Sequence, residues 1–363
     1  MQEKTGAAIA GRPCFFNNPL GLEELSGILL YLMKQHAVIT EGLTCRFGDL
    51  IAVNDLNLTI RAGEIFGLLG PNGAGKTTTL SMLATLLPPT SGSATVAGHD
   101  VTRGKDRVRR AIGLVFQDPS TDEELTAWEN MDFHGRLYGV GRSERRARIP
   151  EMLKMVDLAD RSRHRVKTFS GGMKRRLEIA RGFLHHPSVL YLDEPTTGLD
   201  PQTRRRIWEH IERINKAEEL TILLTTHSME EADALCGRVG IMDHGRLIAL
   251  GTPSKLKDDL GGDVISIKVD GDAGPVVPIL EDQEWVKAVR SRDGLADITV
   301  NNGEAHIPEI LRLMEHAGLR ALSLTLKKPT LEDVFIHHTG RSIRDETADN
   351  VDRMRQRRRA FNR

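Results

Sequence analysis

The sequence predicts an α/β protein with a small α+β domain behind it. Three observations carry this. Apolar strand-like runs at 63–70, 188–193 and 220–226 alternate with amphipathic helical stretches, as in a parallel sheet covered on both faces. After Gly261-Gly262 the texture changes, and apolar residues alternate with polar ones. A length of 363 residues suits about two domains.

Composition narrows the function. Lys+Arg and Asp+Glu are both 50, so the formal net charge is zero and a generally basic nucleic-acid binder is excluded. Aromatic residues make up only 4%, which leaves few platforms for stacking bases. No nucleic-acid partner is expected. Cys14, Cys45 and Cys236 lie far apart and read as unpaired thiols of a reducing compartment. No apolar run approaches the roughly 18–20 residues that span a bilayer. The expectation is a cytoplasmic protein, with any membrane spanning done by another subunit.

In chain order, residues 1–36 form an extension with two open readings. One is a disordered stretch with a short helix at Leu22–Leu32; the other is that translation begins at Met33. From Ala37, "AVITEGLTCRFG" and "IAVNDLNLTI" predict two strands around a turn at Gly48 and Asp49. "GEIFGLLG" is a buried strand ending at Gly70, followed by a helix with Leu80, Leu83, Ala84 and Leu87 on one face. Residues 118–168 read as mostly helical, with a capping box at Thr126 and Glu129 and a stripe of Ile149, Leu153 and Val156. A helix with Ile207, Ile211 and Ile214 on one face links the strands at 188–193 and 220–226. Beyond Gly262, Ile265, Ile267 and Val269 alternate, as do Leu322, Leu324 and Leu326. Ile307, Ile310, Leu311, Met314 and Ala317 form a helical stripe between them. Thr330 and Asp333 cap a last helix carrying Leu331, Val334 and Phe335, expected to close the same small core. The tail at 341–363 has eight Arg against four acids and reads as a solvated basic tail.

The chemistry starts at "GPNGAGKTT", 70–78, which satisfies the phosphate-loop pattern through Gly70, Gly75, Lys76 and Thr77. Gly73 and Gly75 let backbone N–H groups turn inward around phosphate oxygens. Lys76 adds a mobile positive charge, Thr77 a hydroxyl for Mg²⁺, and the following helix its positive end. "VLYLDEP" ends a buried strand with two carboxylates. Asp193 is placed for the Mg²⁺ shell and Glu194 for polarising an attacking water. Gln117 and His227 each close a strand, and alone each would be weak evidence. "FSGGM", 169–173, puts Ser170 at a helix start, followed by Gly171-Gly172 and Met173, a second anion-binding device. One phosphate loop does not need two such devices. The economical reading is that the second serves another subunit's nucleotide.

In this order the motifs resemble those of ATP-binding cassette (ABC) proteins, the nucleotide-binding subunits of ABC transporters. The resemblance covers about residues 37–255. It implies an ABC-type P-loop NTPase core: a RecA-like sheet with an antiparallel β subdomain and a helical subdomain at about 118–180. The domains are then 37–261 for the cassette and 262–340 for a C-terminal accessory α+β domain. Gly70, Pro71, Asn72, Gly73, Ala74, Gly75, Lys76, Thr77 and Thr78 become the Walker A loop that binds ATP. Gln117 becomes the Q-loop glutamine, with Thr77 and Asp193 a ligand of Mg²⁺. Glu194 is the catalytic base, His227 the switch histidine, and Asp200 ends the D-loop. Ser170, Gly171, Gly172 and Met173 form the signature, which acts in trans on the partner's ATP in a head-to-tail homodimer. Phe47 falls where an aromatic stacks on adenine. The signature departs from the common pattern at Phe169 and Met173 but keeps Ser-Gly-Gly.

The runs "TFSGGMKRRLEIARGFLHHP" and "PTLEDVFIHHTGR" look like the daunorubicin-resistance branch, ATPase subunits of multidrug exporters. The resemblance implies an ATP hydrolase at the cytoplasmic side of the cell membrane, held there by a separate permease. The alternatives are export of lipids, polysaccharides or ions, or a soluble cassette acting on ribosomes or DNA. The single cassette, with no inserted coiled coil or zinc cluster, tells against the last of these.

Overall fold

The computed structural model describes residues 35–270, 273–292 and 294–340. The Leu22–Leu32 helix, the Met33 question and the basic tail lie outside them. Strands β1 (His36–Phe47) and β2 (Leu50–Arg61) form the expected hairpin around Gly48, whose φ is +58°. β3 (Ile65–Leu69) leads into α1 (Lys76–Leu83). β4 (Ser91–Val96) and β5 (His99–Asp100) join the hairpin in an antiparallel sheet of order β2-β1-β4-β5. Then follow α2 (Lys105–Ala111), β6 (Ile112–Val115), α3 (Ala127–Leu137), α4 (Arg142–Met155), α5 (Gly171–Gly182), β7 (Val189–Asp193), α6 (Pro201–Glu218), β8 (Thr221–Thr226), α7 (Met229–Leu235), β9 (Arg238–Asp243), β10 (Arg246–Gly251) and α8 (Pro253–Asp258). The central sheet has the order β10-β9-β3-β8-β7-β6, parallel except for β10.

Every residue of β3, β7 and β8 is buried, which explains their unbroken apolar character. Successive side chains still feed opposite faces. Leu69, Leu190, Leu192, Ile222 and Leu224 enter the core shared with the helices α3 to α6. Phe66, Leu68, Val189, Tyr191 and Leu223 enter the core shared with α1 and the antiparallel sheet. The strand ends therefore open between two independently packed layers, which fixes the backbone on which the site is built.

Two expectations need correction, while residues 118–168 are mostly helical as expected, through α3 and α4. Outside α3 and α4 they hold only 3₁₀ turns at Ala159–Arg161 and Val166–Thr168. The two connecting loops bond each other instead: Val166 N–H donates to the Leu125 carbonyl and Lys167 N–H to that of Glu123. Leu87 lies beyond α1, which stops at Leu83 because Thr85 turns to φ +62°.

The second correction concerns the C-terminal segment. There β11 (Asp263–Val269), α9 (Val276–Glu281), β12 (Val286–Arg292), β13 (Leu295–Val300), α10 (Gly303–His316) and β14 (Ala321–Lys327) build an antiparallel sheet of order β12-β13-β11-β14 under two helices. Its core takes Ile265, Ile267, Val269, Ile310 and Met314. A register shift opposite Lys268 and Val269 turns Leu322 outward, so it is exposed despite the alternation, as is Leu311. The last helix, α11 (Leu331–Thr339), has the predicted capping box at Thr330 and Asp333. It does not close this small core. It returns to α7 and α8, and Leu331, Val334 and Phe335 join the helical-side core of the preceding unit. The spacing of its apolar residues reports one buried stripe, not which core receives it.

Candidate functional site

β3 ends against a loop whose glycines are required by position. Gly73 and Gly75 have φ of +88° and +101°, backbone that other residues rarely adopt. A Cβ on Gly75 would lie 2.4 Å from the Ala52 carbonyl oxygen, and one on Gly70 2.3 Å from that of Met242. The loop is thus wedged between β2 and the end of β9. Lys76 opens α1 and is buried, with Nζ donating to the Gly70 and Pro71 carbonyls at 2.7 and 2.9 Å. Burial lowers its pKa, opposed by the nearby carboxylates of Glu194 and Asp193.

Asp193 closes β7 and accepts from the hydroxyls of Thr225 and, at 3.3 Å, Thr77. Glu194 takes a left-handed φ of +45°. Its N–H is held by both the Thr225 carbonyl and hydroxyl at 3.1 Å. The two neighbouring carboxylates meet different partners. Glu194 Oε2 accepts from Thr197 at 2.9 Å and Oε1 meets His227 Nδ1 at 3.1 Å, with Lys76 Nζ 3.9 Å away. Burial pushes the Glu194 carboxyl up, but His227, Thr197 and Lys76 outweigh it and hold it below its ordinary value. The same hydrogen bond to Glu194 raises the His227 pKa against the effect of burial. An ionised carboxylate with a fixed hydrogen-bond partner and a lysine beside it can accept a proton from water.

These groups border a cavity of about 380 Å³ lined by Phe47, Asn72, Gly73, Gly75, Lys76, Thr77, Thr78, Gln117 and Glu194, together with Leu50, Ile51, Ala52 and His244. Phe47 is half exposed there, so it is not a core residue. Asp193 and His227 do not line the cavity; they stand behind Thr77 and Glu194. A larger open groove of about 620 Å³ runs along 98–109 and contains none of the site candidates. Its size carries no weight against the converging polar groups of the smaller one.

The signature lies elsewhere. Ser170 caps α5, its hydroxyl accepting from Met173 N–H at 3.3 Å. Ser170 and Gly171 are exposed, and none of 170–173 lines the cavity. A Cβ on Gly172 would come 2.3 Å from Thr203 Cγ2, so this glycine lets α5 approach α6. Asp200 caps α6, accepting from Thr203 N–H at 3.0 Å, and likewise lies outside the cavity.

Sequence reasoning missed two groups. Buried Arg175 donates to the carbonyls of Asp193 and Pro195 at 2.9 and 2.8 Å and to that of Phe116. Buried Glu231 accepts from Thr196 at 2.7 Å and Trp208 at 3.1 Å. Arg175 sits in the basic run "MKRR" with nothing to separate it from its solvated neighbours. Glu231 directly follows another glutamate.

Residues 53–197 match the family model described as ABC transporter. Residues 251–339 match that for the C-terminal domain of DrrA1-3-like ATP-binding proteins. The chain is 41% identical over 310 residues to daunorubicin resistance ATP-binding protein DrrA3 of Streptomyces coeruleorubidus, covering 85% of this chain and 97% of that protein. The chain belongs to the ABC transporter ATP-binding subunits, in their DrrA-like branch.

Linearmycin resistance ATP-binding protein LnrL of Bacillus subtilis is 38% identical to this ABC subunit over 317 residues, 84% of this chain and 99% of that protein. Nod factor export ATP-binding protein I of a Rhizobium species is 40% identical over 313 residues, 86% and 99%. Among solved structures, cbiO1 of Clostridium perfringens, part of the ABC transporter complex cbiONQ, matches at a TM-score of 0.59 and 29% identity. That match covers 62% of this chain and 92% of the other. A post-hydrolysis dimer of the ATP-binding cassette MJ0796, bound to ADP and Pi, matches at 0.53 and 29%, over 59% and 98%. The α/β architecture, the ATP-hydrolysing family and the exporter class expected from the sequence are therefore established for this ABC subunit. Among the described residues no helix is long and apolar enough to cross a membrane.

Proposed function

We propose that this chain is the ATPase of a multidrug-type exporter, working as a head-to-tail homodimer on the cytoplasmic side of the cell membrane, where a separate permease holds it. The relatives named for daunorubicin, doxorubicin and linearmycin resistance support a hydrophobic, drug-like cargo.

In this reading adenine stacks on Phe47. The N–H groups of 71–78 receive the phosphates, with Asn72 and Thr78 among the cavity-lining residues. Lys76 releases the Gly70 and Pro71 carbonyls to meet the β- and γ-phosphates. Glu194 polarises the attacking water, and His227 orients its carboxylate. The oxygen-only set of Thr77, Asp193 and Gln117 fits a hard cation, and Thr77 Oγ1 already lies 3.3 Å from Asp193 Oδ1. Mg²⁺ held there would neutralise charge developing on the phosphates.

The observation that carries the dimer is the separation of Ser170 from its own chain's cavity. A cradle, a base and a cation site face one way, while a capped, exposed helix N-terminus of 12 residues stands outside them. A second copy supplies the missing face. Exposed Phe133 and Leu137, one turn apart on α3, offer the permease an apolar contact.

The test mixes Lys76→Ala chains with Ser170→Arg chains. Neither homodimer has an intact site, whereas a mixed dimer has one. Recovery of ATPase activity on mixing is expected. No recovery, in a mixture shown by cross-linking to contain mixed dimers, would contradict the arrangement.

A further inference from the structure

Arg175 links parts of the molecule that the head-to-tail reading assigns to two different ATP sites. It lies on α5, one and a half turns beyond Ser170. Its side chain is only 8% exposed, and its guanidinium spreads over three backbone carbonyls. Nη2 donates to Asp193 and Nε to Pro195, on either side of Glu194. Nη1 donates to Phe116, the residue before Gln117, and pairs with Glu178 Oε2 at 3.3 Å. Glu178 in turn accepts from Ser120 N–H. One planar group thus ties α5 to the end of β7 and to the loop after β6, which are separated from it by 18–59 residues.

The strand end it holds needs holding. Glu194 is in the left-handed region, which a non-glycine residue adopts only at a cost. It persists because its surroundings over-determine it. Thr225 fixes its N–H, Arg175 fixes the carbonyls on both sides, and Glu231 grips the side chain of Thr196 next along. A buried arginine fork of this kind is rigid and directional in a way that a lysine cannot reproduce.

We propose that Arg175 is a positioning residue that makes α5 and the Glu194 turn move as one piece, so that a helix engaging the partner's nucleotide also aligns the base in its own chain. The inference rests on the head-to-tail reading above. Each ATP site then depends on two copies of Arg175. The copy beside its base sets the Glu194 turn, and the copy in the other chain sets the presentation of Ser170.

The mixed dimer tests this one chain at a time. Its single working site uses Lys76 and Glu194 of the Ser170→Arg chain and Ser170 of the Lys76→Ala chain. Arg175→Gln is added to one chain, then to the other. Arg175→Lys, which retains the charge opposite Glu178, is run beside it for the case that Gln does not fold. Binding of a fluorescent ATP analogue by the Arg175 variants of the otherwise unchanged chain, which keeps Lys76, checks folding. It is expected to stay within about twofold, because Arg175 does not line the cavity. Turnover is expected to fall on the order of 10- to 100-fold with the change in either chain, the scale of a small misplacement of reacting groups. KM for ATP is expected to change far less. A fall from only one of the two chains would overturn the linkage, as would no fall from either. No recovery in the parent mixture would instead refute the head-to-tail reading, and the two-chain role with it.

Discussion

Replacing Phe335 with alanine is expected to destabilise the nucleotide-binding unit, although Phe335 lies more than a hundred residues beyond His227. Phe335 is fully buried, and with Leu331 and Val334 it belongs to the core that also holds Leu192, Leu224 and Trp208. Truncating a core phenylalanine costs about 3–5 kcal/mol, from lost transfer energy and the cavity left behind. Against a total of roughly 5–15 kcal/mol that is a large fraction. For a unit of about 200 residues it corresponds to a fall in Tm of roughly 6–20 °C. The three tryptophans separate the outcomes. Trp208 is in the affected core and Trp128 packs against it, whereas Trp285 packs against the C-terminal core and stacks on His306 at 4.3 Å. Single-tryptophan chains unfolded in urea, with release of a fluorescent nucleotide as second probe, report each part. The Trp208 and nucleotide transitions are expected to move to lower urea together. A shift confined to Trp285 would refute the packing argument. By the same argument, cutting the chain after Gly261 removes three core side chains. It is expected to give a poorly soluble cassette rather than a functional minimal one.

Gly75→Ala is expected to abolish nucleotide binding, because its Cβ would meet the Ala52 carbonyl at 2.4 Å; calorimetry showing normal affinity would contradict the cradle. Phe47→Ala is expected to weaken ATP binding by roughly 5- to 150-fold, from about 1–3 kcal/mol of lost stacking, with Phe47→Trp close to the parent. Equal affinities in all three would remove the stacking role. The Glu194–His227 pair predicts a pH dependence. The depressed carboxyl contributes stability above its ordinary value of 4.5 and loses it as pH falls through the lower folded value. The raised imidazole contributes below its ordinary value of 6.5 and loses it as pH rises through the higher folded value. The pair is therefore whole from about pH 4.5 to 6.5. His227→Ala is expected to lower the melting temperature more at about pH 5.5 than at about pH 8.5. An equal loss at both would show the ion pair to be without effect.

Much of the molecule is legible where physics is local. The strands β3, β7 and β8 announce themselves because a parallel sheet buried on both faces leaves no polar position. The caps at Thr126, Ser170 and Thr330 are legible because a capping bond spans three residues. The phosphate loop is legible because its glycines are forced by φ and by backbone contact. What is not legible depends on distant partners. The destination of α11 is set by α7 and α8, about 75 to 100 residues earlier, and nothing in "LEDVFI" names them. Arg175 bonds backbone carbonyls, which every residue carries, so no partner type marks it. Leu322 alternates correctly and is still exposed, because a shift in strand register is invisible in one strand read alone.

The most direct test of the central claim is Glu194→Gln in the full chain, which keeps the shape of the side chain and removes its capacity to accept a proton. ATP hydrolysis is expected to fall by about 10²–10⁴-fold, the range for a positioned acid or base. ATP affinity of the single chain is expected to hold, because the loop at 70–78 is untouched. With ATP and Mg²⁺ the variant is expected to elute from a sizing column as a long-lived dimer, and with ADP as a monomer. Turnover like that of the parent, or a variant that never dimerises with ATP, would contradict the account.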